Sequence, residues 1–190
     1  MARSKKSQLT MENLFYFSPE QKVLRLLISE PTTTFTSRAL SSKLKGVRGL
    51  GGGEGIMRIL TDFQGLGLVD FVDNHRAVRL RDDSPLISVF KQVAAICDLE
   101  SLRTTLEPIS VRGVLYGSRA NGRFRSDSNY DLFVVSDIPE EVKKSAARHP
   151  LAKDLDLTVW TPELFDNIEK NEPGLFGKLT SGIVLWGPTW

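Results

Sequence analysis

The run Val114-Leu115-Tyr116-Gly117-Ser118, followed about a dozen residues later by Tyr130-Asp131-Leu132-Phe133-Val134-Val135, constrains the fold of this chain more than any other part of it. An apolar run stops at a glycine and a serine. A polar segment with Arg119, Arg123 and Arg125 follows, and an acid then leads into a second run that is apolar on both faces. Short apolar runs rich in β-branched and aromatic residues read as strands buried on both sides. Two neighbouring central strands are therefore expected, with a small-residue turn leaving the first and an acidic segment opening the second.

The remainder of the second half supplies the other parts of a layered α/β structure. Residues 155–160 alternate as a third strand, and residues 183–186 read as a last one. A helix is expected over 139–148, and Thr161-Pro162-Glu163 has the pattern of another helix start. Side chains alternate along a strand, so residues 129 and 131 share one face. Asp156 lies between Leu155 and Leu157, with Asp154 as the alternative acid on the same alternating face.

In order and spacing, Gly117-Ser118-Arg119-Ala120-Asn121-Gly122 followed by Ser126-Asp127-Ser128-Asn129-Tyr130-Asp131-Leu132 resembles the minimal nucleotidyltransferases of the DNA polymerase beta superfamily. The resemblance covers about residues 109–187. It implies a nucleoside triphosphate bound by Gly117, Ser118 and Arg119. It also implies magnesium ions held by residues 129, 131 and 156, with Asp131 and Asp156 as the catalytic acids. Physical reasons stand beside it. Glycine lets the backbone approach a triphosphate closely, and a helical turn opening at Ser118 offers free N–H groups. Two metal ions stabilise the attacking and leaving oxygens of an in-line displacement. Arg123 and Arg125 read equally well as phosphate ligands or as solvated loop residues.

Asn129 departs from that pattern, since an acid is expected there. An amide offers magnesium a carbonyl oxygen but no charge. One charge missing at about 4 Å, with an effective dielectric near 20, is worth roughly 4 kcal/mol. That corresponds to about a thousandfold in rate. Asp127 lies on the same alternating face but about 6.5 Å along the strand. The domain is thus expected to be a weakened or inactive transferase, with an active enzyme modifying a protein or small-molecule hydroxyl as the alternative.

The first half carries a different pattern. Ser18-Pro19-Glu20-Gln21 is a capping box with proline at the first helical position, and Val23, Leu24, Leu27 and Ile28 form an apolar face. A second short helix is expected from about Thr36, carrying Ala39, Leu40 and Leu44. A glycine-rich loop follows over 46–55, then a third helix with Ile56, Ile59, Leu60 and Phe63. Residues 68–72 and 77–80 read as a hairpin turning at Asp73-Asn74-His75-Arg76. Three helices and a hairpin in this order resemble a winged helix-turn-helix over about residues 18–82. The resemblance implies double-stranded DNA as partner, with the third helix in the major groove. Arg58 and Thr61 then face bases, Arg38, Lys43, Lys45 and Arg48 face phosphates, and Arg76 sits at the wing tip. Glu54 and Asp62 on the third helix oppose such a role, and protein docking is the alternative.

The fold class expected is α+β: a winged helix over 11–83, a linker helix over 84–107 and a nucleotidyltransferase-like domain over 108–190. Residues 1–10 read as a polar tail. The linker helix is expected to join the domains or to form a homodimer interface. Residues 1–83 hold 13 Lys and Arg against 9 Asp and Glu, whereas the rest holds 12 against 14. That mild basic excess suits a phosphate backbone and equally an ordinary surface. The single cysteine, Cys97, excludes an internal disulfide framework and reads as a small core residue in a cytoplasmic protein. No apolar run approaches the ~20 residues of a membrane span. His75 and His149 have no metal-ligand spacing. The overall expectation is a DNA-binding transcriptional regulator whose second domain senses a nucleotide or a partner protein.

Overall fold

The computed structural model describes residues 9–190, so most of the tail expected over 1–10 lies outside the described residues. The chain divides into two compact units, the first ending at Arg81 and the second running from Asp82 to Trp190.

In the first unit, α1 (Met11–Phe15) precedes α2 (Pro19–Ser29), β1 (Thr34–Thr36), α3 (Ser37–Lys43), α4 (Gly52–Gly65), β2 (Val69–Val72) and β3 (Ala77–Leu80). The capping box at α2 is complete. Ser18 Oγ accepts from the Gln21 amide, and Gln21 Oε1 accepts from the Ser18 amide at 2.8 Å. Val23, Leu24, Leu27 and Ile28 are buried along one side of α2, as their spacing requires. Thr36 caps α3 by accepting from the Ala39 amide. The three strands form an antiparallel sheet in the order β1-β3-β2.

Two elements go beyond the sequence reading, α1 and the three-residue strand β1. The glycine-rich loop is also shorter than expected, because α4 already begins at Gly52. Glycine permits this at residue 55, where a Cβ would collide with the Leu50 carbonyl. The hairpin turns through Asp73, Asn74 and His75, all at positive φ. Asparagine and aspartate tolerate that region better than most residues.

The second unit opens with α5 (Pro85–Asp98) and α6 (Glu100–Leu106). It continues through β4 (Arg112–Tyr116), α7 (Gly117–Ala120), β5 (Tyr130–Val135), α8 (Pro139–Ala147) and β6 (Leu155–Trp160). The last elements are α9 (Pro162–Phe165), α10 (Ile168–Asn171), α11 (Pro173–Thr180) and β7 (Ile183–Trp186). The segment expected as one linker helix is two helices that break at Leu99, and both belong to this unit. The sheet order is β6-β5-β4-β7, with β5 antiparallel to β4 and parallel to β6.

Alternation along β5 assigns its residues to two cores. Leu132 and Val134 pack with Ala95, Leu99, Leu102 and Leu106 of the first helices and with Val142 of α8. Phe133 and Val135 pack on the other face with Val114, Ile168 and Leu179. Both faces of β5 are therefore covered, which is why its sequence is continuously apolar past Asp131. Cys97 is a buried free thiol of α5.

Candidate active site

The site lies where β4 ends and β5 begins. Tyr116, the last residue of β4, pairs in register with Asp131 on β5, and Asp131 pairs in register with Asp156 on β6. Register on adjacent strands places the three side chains on one face of the sheet, the face covered by α10 and α11. Gly117 follows Tyr116 at φ +72°, and a Cβ there would occupy the space of Asp131 Oδ2. Only glycine satisfies both the backbone angle and the carboxylate against it. The turn at Gly117 and the acid at 131 are thus one piece of packing.

A cleft of about 460 Å³ opens at this point, lined by Tyr116, Gly117, Asn121, Arg123, Asp131, Lys178 and Ser181. Its size is that of a small-molecule site. Burial raises the Asp131 carboxyl above its ordinary value of 3.8, and the Asp156 charge raises it further, whereas Lys178 and Arg119 act in the opposite sense. Burial likewise raises the Tyr116 phenol, a hydrogen bond with Thr158 opposes the shift, and the charges of Asp131 and Asp156 add to it. The cleft therefore carries an excess of negative potential at its acidic end and two cations, Arg123 and Lys178, in its lining.

The residues expected at the site are distributed as follows. Gly117 and Asp131 line the cleft, and Asp156 acts on Asp131 from the neighbouring strand. Ser118 is half-buried in α7, a single turn, and its carbonyl accepts from the Arg123 amide at 2.9 Å. Arg119 is buried, and its guanidinium donates to the Ser128 carbonyl at 2.7 Å and to the Asn129 carbonyl at 3.2 Å. It also lies over the rings of Tyr130, at 3.7 Å, and Phe124, at 4.4 Å. Its donors are thus spent largely on the loop that leads into β5.

Asn129 is exposed immediately before β5. Lys178 and Ser181 were missed in the sequence. They come from the end of the chain, and the only sign of them is a polar face on the amphipathic stretch that holds Leu175 and Leu179. His149 Nδ1 accepts from the Leu151 amide, and Nε2 is 2.9 Å from Ser101 Oγ.

Among the described residues no three His, Cys, Asp or Glu side chains cluster as a metal site. The donor set of two carboxylates facing each other on adjacent strands nonetheless suits one magnesium ion. Magnesium is commonly held by one or two carboxylates together with substrate phosphates. The pair of ions implied by the resemblance would lack one acidic ligand, because residue 129 is an amide.

In the first unit all seven residues expected to meet DNA are exposed: Arg38, Lys43, Lys45, Arg48, Arg58, Thr61 and Arg76. Lys43 pairs with Glu30 at 2.6 Å, and Thr61 Oγ1 donates to the Met57 carbonyl. Glu54, Arg58, Thr61 and Asp62 recur at helical spacing, so the outward side of α4 is mixed in charge.

Residues 98–176, within the second unit, match the family described as Nucleotidyltransferase domain. Gly117, Asp131 and Asp156 all lie within the matched residues. Among solved structures, the chain is similar to one in a crystal structure titled as a mutant of the toxin-antitoxin MntA-HpeT. It is 18% identical over 46% of this chain and 72% of that one, with a TM-score of 0.33. No curated protein matches the chain. Among the described residues no helix is long and apolar enough to cross a membrane.

Proposed function

We propose that the second unit binds a nucleoside triphosphate with magnesium and has weak or no transfer chemistry, and that the first unit is a winged helix that binds double-stranded DNA. On this reading the chain is a nucleotide-sensing, DNA-binding regulator. The observation that carries the nucleotide half is the Asp131 carboxylate seated against Gly117 and facing Asp156, in a cleft lined by Arg123 and Lys178.

On this reading each residue is assigned a role. Arg123 and Lys178 bind phosphate oxygens, and arginine does so with a planar fork of donors. Gly117 admits the triphosphate to the backbone. Asp131 would hold the metal, which when bound would supply positive charge against the phosphoryl oxygens. Asp156 orients the acceptor hydroxyl and takes its proton as the hydroxyl oxygen bonds the α-phosphorus and pyrophosphate leaves. Asn129 would offer an oxygen without charge, so transfer is expected to be slow or absent.

The DNA half is supported by the order of helices and strands, by the β1-β3-β2 sheet and by exposed basic residues on α3, on α4 and at the hairpin turn. The intact register of Asp131 and Asp156 favours a second reading, an enzyme that modifies a protein or small-molecule hydroxyl.

Labelled ATP, magnesium and calorimetry test the nucleotide half. Binding by the wild type that is lost in Asp131→Ala supports it, and no binding at millimolar ATP refutes it. Label transferred by Asn129→Asp but not by the wild type marks residue 129 as the missing charge. Efficient labelling by the wild type favours the enzyme reading. A band-shift titration tests the DNA half. Binding that weakens steeply with salt, and is reduced in Arg58→Glu, supports it. No shift at tens of micromolar protein refutes it.

A further inference from the structure

Lys91 is the one fully buried lysine among the described residues. Its Nζ donates to Asp82 Oδ1 at 2.5 Å and to the Phe124 carbonyl at 2.6 Å, and it lies 4.6 Å from the centre of the Phe124 ring. That ring also carries the guanidinium of Arg119. Arg119 lies in turn over Tyr130, whose hydroxyl donates to Asp98 at 2.7 Å. The series Lys91, Phe124, Arg119, Tyr130, Asp98 thus leaves α5 and returns to it.

A further contact joins the same helix to the same loop. Gly122 sits at φ +70°, and any Cβ there would collide with the Ser88 carbonyl. Residues 88, 91 and 98 of α5 therefore hold the segment 121–130 at three separate points. That segment has no helix or strand of its own before Tyr130. It carries Asn121 and Arg123, two residues of the cleft lining.

Packing alone does not call for a cation here. A buried charge is costly to desolvate, and an apolar side chain of the same length fills space at least as well. A bond from Nζ to a loop carbonyl does what an apolar chain cannot: it fixes where that carbonyl stands. We infer that Lys91 is a positioning residue for the nucleotide cleft, and that its bond to the Phe124 carbonyl holds the 121–129 loop so that Arg123 and Asn121 face the cleft. Asp82 is the counter-charge that makes the buried cation tolerable and has no positioning role of its own. The effect on nucleotide affinity rests on the function proposed above, whereas the effect on the loop does not.

The experiment compares Lys91→Met with Asp82→Asn by hydrogen exchange, thermal melting and calorimetry with ATP and magnesium. The amides of Arg123, Arg125 and Ser128 report the loop, since each is bonded within segment 118–128. In Lys91→Met they exchange at least tenfold faster while β5 amides do not change, and ATP binds about tenfold more weakly. In Asp82→Asn the melting point falls but the loop amides keep their wild-type rates, because the bond to Phe124 remains. Equal effects of the two substitutions, or unchanged loop exchange in Lys91→Met, overturn the inference. Should Lys91→Met not fold, the wild type decides: the three amides are protected as strongly as those of α8, and free exchange there overturns it. If the wild type binds no ATP, the proposed function fails, and the exchange data still decide the role of Lys91.

Discussion

Gly117→Ala tests whether the turn and the acid form a single packed unit. Two costs add. Alanine at φ +72° is in the left-handed region, at about 1–2 kcal/mol. The new methyl also drives the Asp131 carboxylate from its place, and an off-rotamer side chain costs about 0.5–1.5 kcal/mol. The sum is about 1.5–3.5 kcal/mol. For a unit of about a hundred residues, 1 kcal/mol shifts the melting midpoint by about 4 °C. The transition of the second unit should then fall by about 6–14 °C in calorimetry, with that of the first unit unmoved. A double-mutant cycle with Asp131→Ala separates the two costs. In that background the methyl meets no carboxylate, so Gly117→Ala should cost only the backbone part, giving a coupling of about 1 kcal/mol. Costs equal within about 0.3 kcal/mol in both backgrounds would refute the reasoning, as would a Gly117→Ala variant as stable as the wild type.

Two nearby arginines should behave oppositely. Arg119→Ala leaves two loop carbonyls without their donor and removes two ring contacts, for a loss of about 3–5 kcal/mol in denaturant unfolding. Arg123→Ala, on an exposed residue, should change stability by less than about 0.5 kcal/mol but weaken ATP binding in calorimetry. Burial lowers the His149 pKa from 6.5, so the folded chain binds its proton less readily than the unfolded chain. Stability should therefore decline as pH falls through 6.5 towards the folded value, and His149→Gln should flatten that part of a urea-unfolding pH profile. Ser18→Ala removes the acceptor for the Gln21 amide and should destabilise the first unit by about 1 kcal/mol in the same assay.

Much of this fold could be read from local chemistry. The capping box at Ser18 and Gln21, the apolar faces of α2 and α4, and the strands at 130–135 and 155–160 each follow from a few neighbouring residues. What escaped depends on contacts between distant ones. The break at Leu99 has no proline or glycine to announce it. The strand Thr34–Thr36 exists because Phe35 is buried opposite Val78. The start of α4 at Gly52 runs against glycine's low helix propensity, and it brings Gly55 close against the Leu50 carbonyl.

The site divides in the same way. Gly117, Asp131 and Asp156 belong to a linear pattern, and the strand register brings them together. Lys178 and Ser181 reach the cleft from the far end of the chain and carry no pattern. Arg119 is expected from the sequence at the nucleotide, whereas its burial between two aromatic rings and its carbonyl partners are properties of the fold.

Asn129 stands outside the packed interior, one residue ahead of the strand that bears Asp131. Codons for asparagine and aspartate differ by a single base. An exchange at an exposed loop residue disturbs neither core of the second unit. The lineage of this chain can therefore lose or regain the charge in one mutational step, with the scaffold intact in either state.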